Sequence, residues 1–242
     1  MDLTQEAQAS WVRSSEAWIR TIERGEVNRV HLLDQPMLRL AGDVSGRRVL
    51  DVGCGEGRFC RMLAERGAET VGIDPTLPFL NEARRLHPAG EYVEGFAESL
   101  PFGDASFDLA VSYLTLIDIP DFRAAIREMA RVLRPGGRLL VANLQSFVTT
   151  RPVAWYRNDR GEKLHVAVEE YFTERANRCE WADISILNWH RPMGAYMEAF
   201  LAAGFRLRAF EEPQPTPEAV AEHPALKDES LVPLFYVAAW ER

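Results

Sequence analysis

The stretch VLDVGCGEGRF, residues 49–59, combines a buried strand, a glycine-rich turn and the start of a helix. Its first four residues are apolar except for Asp51, which is typical of a strand buried on both faces. Three glycines at alternate positions then let the backbone turn tightly and approach a ligand without interference from a Cβ atom. A helix is predicted from Arg58 to Arg66, ended by Gly67, and its first backbone N–H groups would face an electron-rich ligand group. The stretch therefore predicts a cofactor-binding turn, although its spacing is not the GxGxxG of dinucleotide-binding folds.

Strand and helix patterns alternate from Arg48 to about Leu144, which predicts a parallel sheet covered by helices on both faces. The predicted strands are 48–52, 70–74, 91–93, 107–112 and 138–144, followed by 205–210 and 234–240. The clearest helix begins with Asp121 as its N-cap and runs to Arg134, because apolar residues recur at helical spacing until Pro-Gly-Gly ends it. A second clear helix is predicted at 192–203, closed by Gly204.

The charge and the cysteines exclude several classes of function. The formal net charge is −8 and the basic residues are scattered, which argues against a nucleic-acid substrate. Cys54, Cys60 and Cys179 form no CxxC pair, so neither a metal site nor a disulfide framework is predicted. In the tight turn, Cys54 is interpreted as a small residue rather than a nucleophile. No apolar run is long enough to span a membrane and the N-terminus does not look like a secretory signal, so a cytoplasmic location is expected.

Four further segments follow the glycine turn and, together with it, carry a resemblance to a known family. They are TVGIDPT at 70–76, AESLPF at 97–102, SFDLAVSYLTLIDIPD at 106–121 and RVLRPGGRLLVANL at 131–144. In this order they resemble the class I S-adenosylmethionine-dependent methyltransferases, in particular the small-molecule subgroup related to quinone-biosynthesis enzymes (methyltransferase type 11). The resemblance covers residues 49–144 and is loose elsewhere.

The resemblance implies an α/β fold with a doubly wound, Rossmann-like sheet of seven mostly parallel strands, the last one antiparallel. The ligand would lie across the C-terminal strand ends, where the winding reverses. The chain is expected to be a single methyltransferase domain, 1–242. Its parts would be an N-terminal helical cover at 1–46, a cofactor-binding core at 47–144, a substrate-covering insertion or lid at 145–191, and a C-terminal helix with strands at 192–242.

Two parts of this expected domain have further predictions. In the cover, Trp11, Trp18 and Ile22 mark an amphipathic helix, and such a helix covers the cofactor cleft in related enzymes. The insertion is predicted to include a small antiparallel hairpin around 184–189. The proline-rich, acidic stretch at 211–230 is predicted to be a mobile loop.

The resemblance also implies which residues hold S-adenosylmethionine, whose product is S-adenosylhomocysteine. Asp51 would lie near the methionyl amino group, and Asp74 would accept hydrogen bonds from both ribose hydroxyls; the alternative for Asp74 is a helix N-cap before Pro75. The residues expected under the methionine and ribose are Gly53, Cys54, Gly55 and Gly57. The residues expected beside the adenine are Pro75 and Thr76, and those beside the transferable methyl are Ser112 and Tyr113.

Adenine recognition departs from the family pattern. Many relatives carry an acidic residue where this chain has Phe96. Phe96 either stacks on the adenine ring or belongs to the core, which leaves the backbone N–H of Ala97 and the nearby Glu98 for polar contacts.

A neutral oxygen or nitrogen nucleophile can need a base to remove its proton. Asp118 lies where many relatives have a histidine and is one candidate; a turn cap or an ion pair is the alternative. His190 is the second candidate, with hydrogen-bonded packing as its alternative, and His165 is a third that is expected to face solvent. Arg29 either reaches the cofactor carboxylate from the cover or is a solvated helix charge.

The sequence therefore predicts a methyltransferase that moves a methyl group to an O, N or C nucleophile of a small-molecule acceptor. Alternatives are a tRNA or protein methyltransferase and a non-catalytic S-adenosylmethionine-binding protein. An NAD-dependent oxidoreductase would share the strand, the turn and the distal acid, but this chain lacks the GxGxxG spacing expected of that class. The sequence does not decide between a monomer and a homodimer. Trp18 and Trp189 either wall an aromatic substrate or pack in the core.

Overall fold

The computed structural model describes residues 3–151 and 155–242. Residues 1–2 of the expected cover and 152–154 of the expected insertion lie outside the described residues. The α-helices are α1 (Leu3–Glu23), α2 (Asp34–Ala41), α3 (Arg58–Ala64), α4 (Leu77–Leu86), α5 (Phe122–Val132), α6 (Met193–Ala202) and α7 (Pro217–Glu222). The strands are β1 (Arg48–Val52), β2 (Glu69–Asp74), β3 (Glu91–Glu94), β4 (Phe107–Tyr113), β5 (Leu133–Leu144), β6 (Trp155–Arg157), β7 (Lys163–Val166), β8 (Arg175–Trp181), β9 (Ile184–His190), β10 (Arg206–Glu211) and β11 (Phe235–Glu241).

The main sheet has seven strands in the order β10-β11-β5-β4-β1-β2-β3. β11 pairs antiparallel with both of its neighbours, and the other pairings are parallel. The winding reverses between β1 and β4, which leaves a crevice at the carboxyl ends of these strands. This sheet confirms the predicted fold class, including the antiparallel last strand.

Apolar residues cover both faces of the sheet. One face packs on α5 and α6 through side chains such as Phe122, Phe200 and Trp240. The other face packs on α2 and α3 through Met37 and Leu63. The predicted cap of α5 is confirmed, since Asp121 Oδ1 accepts a hydrogen bond from the Ala124 N–H at 2.9 Å. With both faces covered, the strand ends are the open surface on which a ligand can reach the backbone.

The segment after β5 contains two hairpins. β6 pairs antiparallel with β7, and β8 with β9. The β8–β9 hairpin contains the predicted 184–189 segment. It packs against α1, where Ser14 Oγ accepts from the Ser185 N–H at 3.1 Å and Arg178 donates to Glu6 at 2.8 Å. The hairpin therefore supports the N-terminal helix.

The prediction of a loop through 211–230 is wrong in its middle. Residues 217–222 form α7 and a 3-10 turn covers 224–227. Thr216 is the N-cap, with its Oγ1 accepting from the Ala219 N–H at 3.2 Å, and Pro217 occupies the first turn. Ala219 and Leu226 are buried, so packing adds to the local capping signal.

β5 starts earlier than predicted, at Leu133, because the Pro-Gly-Gly turn stays paired beside β4 with a shift in register. In the described ranges, 3–151 and 155–242, no helix is both long and apolar enough to span a bilayer.

Candidate functional site

A cavity of about 1080 Å³, counting space continuous with solvent, opens at the carboxyl ends of β1, β2 and β4. Three parts of the chain surround it: the turns after these strands, the segment 95–98, and the inner face of α1 with Arg29. The predicted site residues that line it are Asp51, Gly53, Cys54, Gly55, Asp74, Pro75, Thr76, Phe96, Ala97, Glu98, Tyr113 and Asp118. The fold thus brings together residues that are up to 67 positions apart in the predicted set.

The glycine turn has left-handed backbone angles at Gly53, Gly55 and Gly57, with φ of +72°, +55° and +75°. A Cβ on Gly53 would lie 2.1 Å from Thr115 Cγ2, so this position also needs glycine for packing. A Cβ on Gly55 would meet nothing within 4 Å. Gly55 therefore faces open cavity, and the turn leaves room for a ligand there.

Two buried carboxyl groups flank this turn. Asp74 accepts hydrogen bonds from the N–H of Gly55 to Oδ2 at 3.0 Å and from the N–H of Thr76 to Oδ1 at 2.8 Å. Burial raises the pKa of Asp74 to about 6, although both N–H donors act to lower it. Asp74 thus joins the two turns and also keeps oxygen lone pairs for a ligand in the cavity.

Asp51 is the more isolated acid. Its Oδ2 accepts from the Cys60 thiol at 3.4 Å, while Oδ1 has no hydrogen-bond partner among the described residues. Burial raises the pKa of Asp51 to about 7. An unpartnered carboxylate oxygen is costly inside a protein, and a cationic donor in the cavity would satisfy it.

The turn after β2 and the segment 95–98 form one end of the cavity. Phe96 is 39 % exposed, which excludes the core-packing alternative for its ring. Burial raises the pKa of Glu98. Gln8 of α1 donates from Nε2 to the Pro75 carbonyl at 2.9 Å and so closes this end from above. The sequence pattern had no signal for Gln8.

At the end of β4, Tyr113 is held by an ion pair between Asp34 of α2 and Arg58 of α3. Its hydroxyl donates to Asp34 Oδ1 at 2.9 Å. Arg58 donates to the same Oδ1 from Nη1 at 2.8 Å and pairs with Oδ2 through its second nitrogen. Burial, with Asp34 adding to it, raises the pKa of the Tyr113 phenol, so the ring stays neutral. Asp34 and Arg58 were missed because their pairing joins segments far apart in sequence.

Asp118 lines the cavity and receives a hydrogen bond from the β8–β9 hairpin. Asn188 donates from Nδ2 to Asp118 Oδ1 at 2.5 Å. Burial raises the pKa of Asp118 well above its ordinary value, while the Trp11 indole and Asn188 act in the opposite direction. The carboxyl group is therefore a stronger base than a solvated aspartate.

Two predicted cofactor residues do not line the cavity. Gly57 faces Tyr92, since a Cβ there would lie 2.8 Å from the Tyr92 ring. Ser112 is fully buried, because adjacent strand residues point to opposite faces and its neighbour Tyr113 is the one that faces the cavity. Both expectations are corrected: Gly57 shapes the turn through packing, and Ser112 belongs to the interior.

The histidine candidates also lie elsewhere. His190 is buried, with Nδ1 2.8 Å from Thr149 Oγ1 and Nε2 2.8 Å from the Tyr171 carbonyl oxygen. Burial lowers its pKa. Since both ring nitrogens are engaged within the insertion, His190 is corrected to a packing residue. His165 is exposed on β7 and stacks on Tyr156, as expected for a solvent-facing side chain.

The described residues of the insertion do not cover the cavity. Among its described residues, 145–151 and 155–191, none lines the cavity. Trp11 and Trp18 of α1 take that place, whereas Trp189 packs with Ala7 and Leu187. Trp18 therefore lines the cavity, and its role as the wall of an aromatic substrate stays a prediction, whereas Trp189 is a core residue.

The described ranges contain no group of three or more His, Cys, Asp or Glu side chains that could hold a metal ion. Burial raises the pKa of Cys54 well above its ordinary value, which keeps its sulfur as the unreactive thiol. The cavity chemistry therefore rests on carboxyl groups, backbone N–H groups and aromatic rings.

Comparison with known proteins is consistent with this geometry. A family profile described as a methyltransferase domain matches residues 50–141. An uncharacterised methyltransferase of Synechocystis sp. is 33% identical over 150 residues, which cover 61% of this chain and 67% of that protein. A malonyl-[acyl-carrier protein] O-methyltransferase of Salmonella typhimurium is 44% identical over 131 residues, covering 54% of this chain and 52% of that protein.

Likeness to a solved structure extends further along the chain. An S-adenosylmethionine-dependent methyltransferase of Mesorhizobium loti superposes with a TM-score of 0.77 at 27% identity. The superposition covers 86% of this chain and 96% of that one. By sequence, the chain spans only about half of the length of the Salmonella relative.

Proposed function

The chain belongs to the class I S-adenosylmethionine-dependent methyltransferases, and on that basis we propose that it transfers the methyl group of S-adenosylmethionine to a small-molecule acceptor. The observation that carries the proposal is the cavity at the ends of β1, β2 and β4. It places the buried carboxyl groups of Asp51 and Asp74 on either side of a glycine turn that faces open space.

The residues present fit the cofactor. The unpartnered Oδ1 of Asp51 suits the ammonium of the methionyl group, since a buried anion without a donor is costly. Asp74 offers carboxylate lone pairs to ribose hydroxyls. The open space beside Gly55 suits a ligand that lies against the backbone. Phe96 is exposed to the cavity and is proposed to contact the adenine, with Ala97, Glu98, Pro75 and Thr76 around it.

When bound, the cofactor supplies a sulfonium whose methyl carbon is open to in-line attack by the acceptor nucleophile. The protein's part is to fix the two reactants at the right distance and angle and to keep water out. α1 covers the cavity from above with Trp11 and Trp18, which limits the access of water. The Tyr113 hydroxyl is held by its hydrogen bond to Asp34. We propose that Tyr113 orients the ligand groups that lie beside the end of β4.

Asp118 is proposed to accept the proton of an O–H or N–H acceptor. Its pKa is raised by burial, and a base whose pKa lies nearer the working pH removes a proton more effectively. Its carboxyl group stands where α1, the loop after β4 and the β8–β9 hairpin meet. Trp11 and Trp18 of α1 line the same cavity, which favours a partly apolar small molecule as the acceptor.

The charges that line the cavity limit the class of acceptor. Apart from Arg29 and Arg58, the charged residues that line the cavity are acids. An extended phosphate backbone would meet repulsion there, so the proposal is a small molecule rather than a nucleic acid. The Salmonella relative is named for methyl transfer to an oxygen atom of malonyl-[acyl-carrier protein]. Oxygen acceptors are accordingly the first class to assay.

A cofactor-binding test precedes the acceptor search. Thermal shifts with S-adenosylmethionine, S-adenosylhomocysteine and NAD separate the cofactor classes, because a ligand at a hundred times its Kd stabilises by about 2.7 kcal/mol. Asp74→Ala is expected to weaken S-adenosylhomocysteine binding about 100-fold in calorimetry, which is about 2.7 kcal/mol. Stabilisation by NAD alone, or unchanged affinity of the variant, would contradict the assignment.

The transfer itself is tested with methyl-labelled S-adenosylmethionine and a metabolite extract, the product being identified by mass. The label is expected in a product of low molecular mass that Asp118→Asn makes more slowly. Label that appears only in RNA or protein fractions would replace the small-molecule proposal.

A further inference from the structure

The main sheet ends in two edge strands, β3 and β10. Within the described ranges each pairs with one neighbour only, so its outer side carries backbone N–H and C=O groups that have no strand partner. β3 is four residues long and has the exposed acids Glu91 and Glu94 at its two ends, so a second acidic strand would meet like charges there. β10 is six residues long and carries two exposed apolar side chains, Leu207 (39%) and Phe210 (41%). β10 is therefore the edge that favours the addition of a strand.

A shift in register gives β10 an unusual arrangement of side chains. Leu207 lies opposite Trp240 and Phe210 lies opposite Ala238, with the shift between Leu207 and Ala209. Trp240 and Ala238 both belong to the core on the α5 and α6 face, and opposed residues of a strand pair share a face. Leu207 and Phe210 thus lie on one face although they are three positions apart, which the two-residue repeat of a regular strand does not allow.

The ends of β10 carry opposite charges on the other face of the sheet. Arg206 lies opposite Glu241, and Glu211 lies opposite Val237. Val237 belongs to the core on the α2 and α3 face, and Glu241 shares that face by the alternation along β11. Glu211 accepts a hydrogen bond from Arg39 of α2 at 3.0 Å, whereas Arg206 forms no ion pair with any described residue. The guanidinium of Arg206 is therefore available to a second carboxylate.

Two copies of the segment 206–211, RLRAFE, match each other when one of them is turned antiparallel. Arg206 of one copy then meets Glu211 of the other at both ends of the pair, and Leu207 meets Phe210. Each of these pairs joins residues of the same face, as an antiparallel pairing requires. A regular strand could not adopt this register, because residues three or five positions apart would lie on opposite faces.

We propose that β10 pairs antiparallel with β10 of a second copy of this chain, with Arg206 opposite Glu211 and Leu207 opposite Phe210. The two sheets join into one around a twofold axis between positions 208 and 209, and the two cavities open at opposite edges of the joined sheet. Charged side chains commonly protect an edge strand from pairing, but their order here makes them complementary between copies. β10 does not line the cavity, so the dimer is independent of the proposed function.

The size of the contact sets the expected affinity. A pair of six-residue strands buries less than the roughly 1,200–2,000 Å² of a stable interface, so we expect a reversible dimer with a Kd on the order of 10 µM. Sedimentation velocity of the full chain between about 1 and 300 µM spans this Kd and measures the mass of the particle. A wild type that remains monomeric throughout this range would overturn the proposal.

A charge reversal tests the pairing of the strand ends. Arg206→Glu sets like charges opposite each other at both ends of the pair and is expected to weaken dimerisation about tenfold or more. Arg66→Glu is the matched control, because Arg66 is exposed after α3 and its substitution changes the net charge by the same amount. This control is expected to dimerise as wild type does, and thermal melts show whether both variants are folded. Equal weakening in the two variants would assign the effect to net charge and overturn the pairing.

Disulfide cross-linking tests the register. Opposed residues of an antiparallel pair have Cα atoms about 4.5–5.5 Å apart, which a disulfide can bridge. A mixture of Leu207→Cys and Phe210→Cys proteins is expected to form covalent dimers with oxidised glutathione, and wild type under the same conditions gives the background from its own cysteines. Either variant alone is expected to stay at that background, since identical positions lie about 10 Å apart along the strands. Equal cross-linking of Leu207→Cys alone would place the strands in another register and overturn the proposed pairing.

Discussion

Asn188 donates a hydrogen bond to Asp118 across 2.5 Å, and this contact joins the insertion to the cavity, which none of the insertion's described residues lines. The neighbouring residues repeat the connection, since the Trp189 N–H donates to the Ile117 carbonyl at 2.7 Å. The loop after β4 is therefore held by the β9 strand at the position of its acidic residue. The insertion acts on the site through the placement of Asp118.

Asn188→Leu is expected to raise the pKa of Asp118 further, because the amide stabilises the ionised form of the carboxyl group. If Asp118 is the base, the acidic limb of the pH–rate profile moves to higher pH by the same amount. Carboxyl-carbon NMR titration follows the pKa without any acceptor. Asn177→Leu is the matched control, since Asn177 lies on the same hairpin and donates to the Thr149 carbonyl instead. Equal shifts in both variants would mean that loosening of the hairpin, and not the Asn188 contact, is responsible.

Arg191→Leu is expected to destabilise the protein by about 3 kcal/mol or more. The guanidinium is 1% exposed and donates to the carbonyls of Leu116, Ile119 and Pro120, which would be left without donors. Urea denaturation measures the change. Arg178→Leu, which removes an exposed pair with Glu6, is expected to cost less than about 1 kcal/mol. Similar losses of unfolding free energy in the two variants would contradict a stabilising role for the hydrogen bonds of Arg191.

Asp51→Asn is expected to stabilise the ligand-free protein at pH 8 and to have little effect at pH 4. The folded pKa of Asp51 is about 7 against 3.8 when unfolded, so the favourable contribution of the protonated carboxyl group is complete below 3.8 and is lost as the pH rises through 7. The difference in unfolding free energy between variant and wild type should grow by up to about 1.4 kcal/mol per pH unit in that window. Thermal melts from pH 4 to 8 measure it. The same substitution at the exposed Asp159 should leave the difference near zero, and a pH-independent gain from Asp51→Asn would refute a raised pKa.

Gly57→Ala and Gly55→Ala are expected to fail in different ways. Both place alanine at positive φ, which costs roughly 1–2 kcal/mol. Gly57→Ala adds a clash with Tyr92 and should be the less stable variant. Gly55→Ala projects its methyl into open cavity and should lose more affinity for S-adenosylhomocysteine. Denaturation measures the stability of both variants, and calorimetry measures their affinity for S-adenosylhomocysteine. A greater loss of affinity in Gly57→Ala than in Gly55→Ala would indicate that Gly57 contacts the ligand.

Local patterns were sufficient for most of the fold. Short, nearly continuous apolar runs predict the strands near 48–52 and 70–74, and Asp121 predicts the start of α5 because a cap acts within one turn. The loop expected at 211–230 was an avoidable error. Thr216, Pro217 and Glu218 form a helix-start signal that the proline content obscured.

The sequence predicted only part of the candidate site. Order along the chain and resemblance pointed to Asp51, Asp74 and Asp118, since each lies in the last residues of a strand, or just after a strand, whose end forms the crevice. The sequence did not predict the direction of each side chain. Ser112 and Tyr113 are neighbours, and only the pleat and the packing of β4 turn Tyr113 toward Asp34.

By itself, then, the amino-acid sequence determined the strands, the helices, the glycine turn and the acids that follow it, because these depend on interactions between residues close along the chain. Tertiary structure alone decided that both ring nitrogens of His190 are engaged in packing contacts and that Asn188 donates a hydrogen bond to Asp118. It also decided that Arg29 is shielded between two rings with its donors unused. The physical reason is that burial and hydrogen-bond partnership come from contacts between distant segments, which no local pattern encodes.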